Sequence, residues 1–366
     1  MDIICPDYTN CGLNVTSSLM AYFGAPSYHD HHPDVDALLS SGRYRSAVLM
    51  LFDGMGMDAL ERFCAPDGFF RSHITREMTA VYPSTTACAT TSIECARTPA
   101  EHGWLGWTLY FEAIDRHVDV FLNTYNGEPV ADYRVADTFL PRQNVTRNIN
   151  AAGKADAHFI SRYCDDIRIE DIDGLFAAVR EQCSRPGRHF LYTYWNDPDH
   201  TMHDEGVAAD CVRDTVLDIE RRVEAAAAAL PEDTLLLITA DHGLIDARHL
   251  YVEDHPGFAR ILKRDTAVEP RAAAFYVKDE YIKAFPDMFR ECFGDSFMLL
   301  RRDDFIDRFL GPGERNKLLP SLVGDWMALS CGPECVNMRR KDFTLKGVHA
   351  GLTPQEMRVP LITACL

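Results

Sequence analysis

Two stretches restrict what this sequence can fold into more than any other feature. VLMLF runs into Asp53 and Gly54, and TLLLITA runs into Asp241, His242 and Gly243. Each is an apolar run of strand length without alternation, the pattern of a strand covered on both faces. Each ends at an acidic side chain followed by Gly or His-Gly. A parallel α/β sheet delivers functional groups in this way, to the crevice beyond the carboxyl ends of its strands.

Further strand candidates follow the same rhythm from residue 47 onward: MTAVY, VDVFL and HFLYTYW, with helical stretches between them. The clearest helix is predicted over 206–230, where apolar residues recur at helical spacing. An earlier short helix is predicted near Val15 to Phe23. Alternation of this kind predicts an α/β fold, with a mainly parallel central sheet flanked by helices on both faces. Residues 247–340 break the rhythm with short strand candidates (AAAFYV, SFMLL, DWMALS) and a Gly311-Pro312-Gly313 turn. They read as a small inserted α+β cap, leaving residues 1–246 and 341–366 as the core.

The chain has 366 residues, 46% of them hydrophobic and 25% charged, enough for a substantial core and too apolar for disorder. A net charge of −18 argues against a nucleic-acid duplex or an anionic membrane as partner. It leaves room for a small phosphate-containing substrate, because bound cations invert local electrostatics. No apolar run is long enough to span a bilayer. The start MDIICPDYTN lacks the basic and apolar regions of a secretory signal. The twelve cysteines are scattered; the CGPEC spacing of Cys331 and Cys335 has no second pair to complete a zinc site. Reduced thiols and a cytoplasmic location are therefore expected. The Asn-x-Thr triplets at Asn14 and Asn144 are read as chance.

Seven residues carry the candidate chemistry: Asp53, Thr86 in VYPSTTAC, Asp199 and His203 in DPDHTMH, Asp241, His242, and His349 in GVHAGL. Three carboxylates, three imidazoles and one hydroxyl suit two borderline divalent cations. Each residue also has a plainer reading. Asp53 could cap the next helix, and Ser84 or Thr85 could be an N-cap. Asp199 and His203 are four apart and would share a helical face, but Asp197 and His200 compete within the same stretch. The HDHHPD run at residues 29–34 is read as surface loop, because Pro33 interrupts it.

Taken together, FDGMG, YPSTTAC followed by TPAEHG, NDPDHTMH, TADHG and GVHAGLTPQEMRVPL resemble the alkaline phosphatase superfamily. Within it they resemble the type I phosphodiesterase and nucleotide pyrophosphatase family. The resemblance implies an alkaline phosphatase-like core and Thr86 as nucleophile. It implies one cation held by Asp53, Thr86, Asp241 and His242, and another by Asp199, His203 and His349. It implies zinc, with manganese possible, and Tyr194 beside the substrate's leaving group. Acidic-Pro-Asp in the family pattern selects Asp199 over Asp197. The sequence departs from the family at Ala87, where an aromatic residue is common, and at Trp107, where an Asn often holds a phosphoryl oxygen. Arg97 also stands where small or apolar residues are common.

The implied function is metal-dependent hydrolysis of phosphodiester or pyrophosphate bonds through a phospho-threonine. Three aspartates against about four positive charges from two divalent ions leave the site near +1, which suits a monoanionic diester. The alternatives are a phosphomonoesterase or phosphonate hydrolase on the same metals, and a catalytically weak member that binds a partner.

Overall fold

The computed structural model describes residues 2–340 and 344–365. Its main sheet has seven strands. Across the sheet they run Ile74–Thr79, Arg358–Cys365, Thr234–Thr239, Ser46–Phe52, His189–Trp195, Asp156–Ser161 and Ile167–Arg168. Ser46–Phe52 and Thr234–Thr239 are buried at every position. This is why their sequences are continuously apolar. They pair in parallel, and Ser46–Phe52 also pairs in parallel with His189–Trp195.

The expectation of a mainly parallel sheet needs correcting, because the sheet is mixed. Arg358–Cys365 pairs antiparallel with both Thr234–Thr239 and Ile74–Thr79. The cause lies in the preceding loop. His349 belongs beyond the carboxyl ends of the parallel strands, so the chain enters its last strand from that side and must run back.

Helices flank the sheet. Ile172–Ser184 packs on His189–Trp195, and Val145–Ala152 packs on Asp156–Ser161. The helix expected over 206–230 spans Asp210–Ala227 and buries Val212, Val216, Ile219 and Val223. Its Glu220 accepts the N–H of Phe70, at 2.9 Å. The short early helix spans Gly12–Tyr22 and packs on Thr86–Cys95.

A second sheet of eight strands draws on two distant parts of the chain. Its order is Phe297–Arg301, Trp326–Ser330, Ala272–Phe275, Ala267–Glu269, Thr108–Phe111, Arg116–Asp119, Thr124–Tyr125 and Glu128–Pro129. All its pairings are antiparallel. The VDVFL candidate therefore contributes here, not to the parallel sheet. Phe258, Phe275, Phe285, Phe289 and Phe293 form a separate aromatic core against this sheet. The expected boundary at 340/341 meets residues 341–343, which lie outside the described residues.

One buried ion pair ties the second sheet to the main one. Arg271 and Glu356 are both fully buried, with Nε to Oε1 at 2.6 Å and Nη2 to Oε2 at 2.7 Å. Arg271 also donates to the carbonyls of Glu334 and Gly332. Glu356 in turn accepts the N–H of Gly351 at 2.7 Å and the hydroxyl of Thr353 at 2.6 Å.

Candidate active site

Asp53 follows its strand directly, and its N–H still bonds to the Trp195 carbonyl at 2.9 Å. Gly54 then turns away with φ +70°. A Cβ there would lie 2.6 Å from Leu244 Cδ1 and 2.8 Å from Asp199 Cβ, so only glycine lets these segments meet. The Asp199 N–H bonds to the Asp53 carbonyl at 3.0 Å, which fixes the start of helix Asp199–Glu205 against the strand end. Asp241 follows Thr234–Thr239 and uses Oδ1 to accept the N–H groups of Gly54, at 3.1 Å, and His242, at 3.0 Å.

All seven sequence candidates converge beyond these strand ends. Thr86 Oγ1 lies 3.3 Å from Asp53 Oδ1 and 3.2 Å from His242 Nε2. His242 Nε2 lies 3.4 Å from Asp53 Oδ1 and 3.5 Å from Asp241 Oδ2. On the other side, Asp199 Oδ2 lies 3.1 Å from His203 Nε2, and its Oδ1 lies 3.9 Å from His349 Nε2. The His242 and His349 rings are 4.0 Å apart by centroid. Ligand atoms of Asp199, His203 and His349 lie within 4.8 Å of one another, and so do those of Asp53, Asp199 and His242. Asp199 thus stands between the two groups. The Tyr194 hydroxyl donates to Asp53 Oδ2.

This donor set fits a pair of cations. Asp199 Oδ1, Asp241 Oδ2 and His349 Nδ1 are buried with no hydrogen-bond partner among the described residues. Buried polar atoms are normally satisfied, so such orphans call for another ligand. The protonation balance agrees. Burial, then the charges of Asp241 and Asp199, push the Asp53 carboxyl well above its usual range. Burial likewise raises Asp241. Burial opposes ionisation of Asp199 too, but His203, His349 and His242 outweigh it and hold that carboxyl low. Burial works against His203⁺, yet Asp199 pushes its imidazole up to about 9. Burial, then His242, drives His349 well below its usual value. His203 Nδ1 is 2.7 Å from the Gly347 carbonyl, which fixes Nε2 as the nitrogen facing the site.

The rival candidates have other work. Ser84 donates to the Gly351 carbonyl at 2.9 Å, and Thr85 donates to Glu269 Oε1 at 2.7 Å. Asp197 accepts from Thr201 at 2.8 Å. The HDHHPD run is structural: His29 meets Glu101, His31 meets Asp36, and buried His32 meets Asn10. Arg97 stacks on Tyr28 at 3.5 Å and bonds Glu101, so it is committed away from the site. His102 is buried between Ser92 and the Trp104 N–H, and burial lowers its imidazole to about 3. It shapes the loop that leads to Trp107.

Two acidic residues near the site were not singled out from sequence. Glu356 secures the loop after His349, as described above. Glu269 accepts both the Thr85 hydroxyl and, at 2.7 Å, the Trp107 N–H. Burial pushes its carboxyl up to about 7, against those donors and the influence of His203 and His242. The sequence held one faint signal for Glu269, an acid at the end of the short apolar run Ala267-Val268. That run is too short to be read as a strand without its partner.

A mixed α/β sheet with carboxylates and imidazoles converging at its strand ends defines a metal-dependent hydrolase of the alkaline phosphatase superfamily. The type I phosphodiesterase/nucleotide pyrophosphatase family matches residues 47–293, and the chain belongs to that family. No curated protein sequence matches it. Among solved structures, human ectonucleotide pyrophosphatase/phosphodiesterase 5 is similar with TM-score 0.66 at 14% identity, over 87% of each chain. The inactive threonine-to-alanine form of the murine protein, in complex with AMP, gives 0.62 at 13%, over 86% of this chain and 87% of that one. Phosphonoacetate hydrolase from Sinorhizobium meliloti 1021, in complex with phosphonoacetate, gives 0.63 at 17%, over 88% and 90%. Among the described residues, no helix is long and apolar enough to cross a membrane.

Proposed function

We propose that this enzyme cleaves phosphodiester or pyrophosphate bonds with Thr86 as nucleophile. The observation that carries the assignment is the division of labour along Ser84-Thr85-Thr86. Only the third hydroxyl reaches the carboxylate cluster, while Ser84 is taken by Gly351 and Thr85 by Glu269. Thr86 opens helix Thr86–Cys95, whose first N–H groups lack intrahelical partners and suit a phosphoryl oxygen.

The proposed ligands are Asp53, Thr86, Asp241 and His242 for one divalent cation, and Asp199, His203 and His349 for the other. Zinc is the preferred metal and manganese the substitute, from the mixed nitrogen and oxygen donors. When bound, the cations supply Lewis acidity that favours the Thr86 alkoxide and offsets charge on the phosphoryl group. The Thr86 hydroxyl donates toward Asp53, so a lone pair is free to face phosphorus. The Thr86 proton leaves by way of Asp53 to solvent; the oxygen attacks in line, an O–P bond forms on Thr86, the opposite P–O bond breaks, and the departing oxygen takes a proton from water, while the second ester group stays on the phosphorus. Water then attacks the phospho-threonine from the vacated side and restores the hydroxyl. Tyr194, held by Asp53, lies beside the departing group.

The small substrate is proposed to be a monoanionic diester. Ala87 offers no aromatic ring, so the enzyme is expected to read the nucleobase weakly. Phosphonate hydrolysis is the second reading, favoured by the phosphonoacetate hydrolase likeness. Residues 247–340 are proposed as an inserted cap rooted in the antiparallel sheet. A reducing, cytoplasmic setting is proposed from the twelve free cysteines. Acid quenching during turnover of an aryl phosphodiester, followed by peptide mass spectrometry, tests the mechanism. One phosphoryl group on Thr86, still carrying the ester substituent that did not depart, is expected; an unmodified Thr86 under burst conditions refutes it.

A further inference from the structure

We propose that Glu269 sets the charge specificity of this site, disfavouring substrates with a second negative charge at the phosphoryl group and so selecting monoanionic diesters. The inference rests on the assignment of Thr86 made above.

The placement of Glu269 is built at a visible conformational cost. Val268, immediately before it, has φ +73°, a region that β-branched residues rarely enter. The Val268 backbone presses on Gly106, where a Cβ would sit 2.6 Å from the Val268 carbonyl oxygen. Val268 also pairs with Thr108 across the antiparallel sheet. A strained backbone persists only where its surroundings over-determine it, and such residues gather at functional sites.

The side chain is equally constrained. Its Oε1 takes both the Thr85 hydroxyl and the Trp107 N–H, while its Oε2 receives no hydrogen bond among the described residues. Thr85 immediately precedes the nucleophile. Trp107 leads into strand Thr108–Phe111. The Trp107 N–H is consumed by Glu269, and its ring packs against Phe121 and is 42% exposed. An acidic acceptor therefore stands beside the residue that precedes Thr86. The carboxylate lies 2.7 Å from the hydroxyl of Thr85, one residue before Thr86. It adds a fourth acid to the three ligating aspartates, which moves the charge balance further from a dianion.

A purely structural strut between Thr85 and Trp107 would also use Glu269. Glu269→Gln separates the two roles, because glutamine keeps the size and an acceptor oxygen but removes the charge. Wild type and variant are compared, zinc-loaded and at alkaline pH where Glu269 is ionised, on an aryl phosphodiester and the phosphomonoester with the same leaving group. The monoester-to-diester ratio of kcat/KM is expected to rise about tenfold or more in Glu269→Gln, equivalent to ~1.4 kcal/mol.

Calorimetric binding at alkaline pH gives a readout without turnover. Inorganic phosphate should gain affinity relative to dimethyl phosphate when Glu269→Gln is combined with Thr86→Ala. Glu269→Met, also uncharged and of similar length, should shift both ratios the same way and covers a folding failure of the first variant. A diester-preferring wild type whose ratios stay within about threefold in these variants overturns this inference alone. A wild type that prefers the monoester overturns the diester reading and this inference with it.

Discussion

The two halves of the proposed metal-ligand constellation are built on opposite electrostatic plans. Asp53 and Asp241 stand at the ends of neighbouring buried strands, both raised by burial, with His242 between them. That half is frustrated without cations, since two buried carboxylates cannot both ionise at little cost. Asp199 and His203 lie on one helical turn and form an ion pair at 3.1 Å, which lowers the acid and raises the base. That half is largely balanced before any cation arrives. The contrast teaches that similar ligands can be stored in the fold either by strand rigidity against repulsion or by mutual neutralisation.

The largest expected effect separates chemistry from storage. Thr86→Ala should lower turnover by about a thousandfold or more, ~4 kcal/mol, while two equivalents of zinc still bind by elemental analysis. Near-native rates in this variant would remove Thr86 from the frustrated half and break the comparison at its chemical end.

The next concerns metal-free stability on the balanced side. The His203 imidazole is raised, so its contribution is full below its ordinary value of 6.5 and is lost as pH rises through about 9. Over that window the metal-free protein should lose on the order of 3 kcal/mol through this group. Urea unfolding across the window should show this slope in wild type and a flatter one in His203→Gln. Equal slopes would mean that the ion pair stores nothing.

The smallest effect has the opposite sign. The raised Asp53 carboxyl contributes stability at acid pH and loses it as pH rises through its folded value. Asp53→Asn should therefore stabilise the metal-free protein at a pH where the wild-type carboxyl is forced to ionise, while weakening zinc binding. A metal-free variant less stable than wild type at that pH would show that Asp53 is not frustrated.

The same division explains what could be read from sequence. Asp53 and Asp241 were legible because a continuously apolar strand announces its own end. Asp199 and His203 were legible as a spacing, though only the surrounding motif separated them from Asp197 and His200. Thr86 needed the family pattern, since three hydroxyl residues in a row look alike without their partners. Glu269 and Arg271 stayed hidden. Glu269 ends Ala267–Glu269, which is too short to read alone and whose neighbour Thr108–Phe111 lies far away in the chain, while Arg271 lies in the turn before Ala272–Phe275, the strand offered by AAAFYV. Long-range antiparallel pairing leaves little trace in local periodicity. The reversed last strand was missed for a related reason: direction is set by where the preceding loop must be, and apolar content does not record it.

The Arg271–Glu356 pair bears on how this architecture can be modified over evolutionary time. Glu356 holds the loop that presents His349, and its counter-charge comes from within residues 247–340. Deleting that segment as a module would strand a buried carboxylate beside the catalytic loop, a loss of about 3–5 kcal/mol when one partner of such a pair is removed. Any shortening of the proposed cap that leaves Glu356 its counter-charge must therefore keep Arg271 and the turn that carries it.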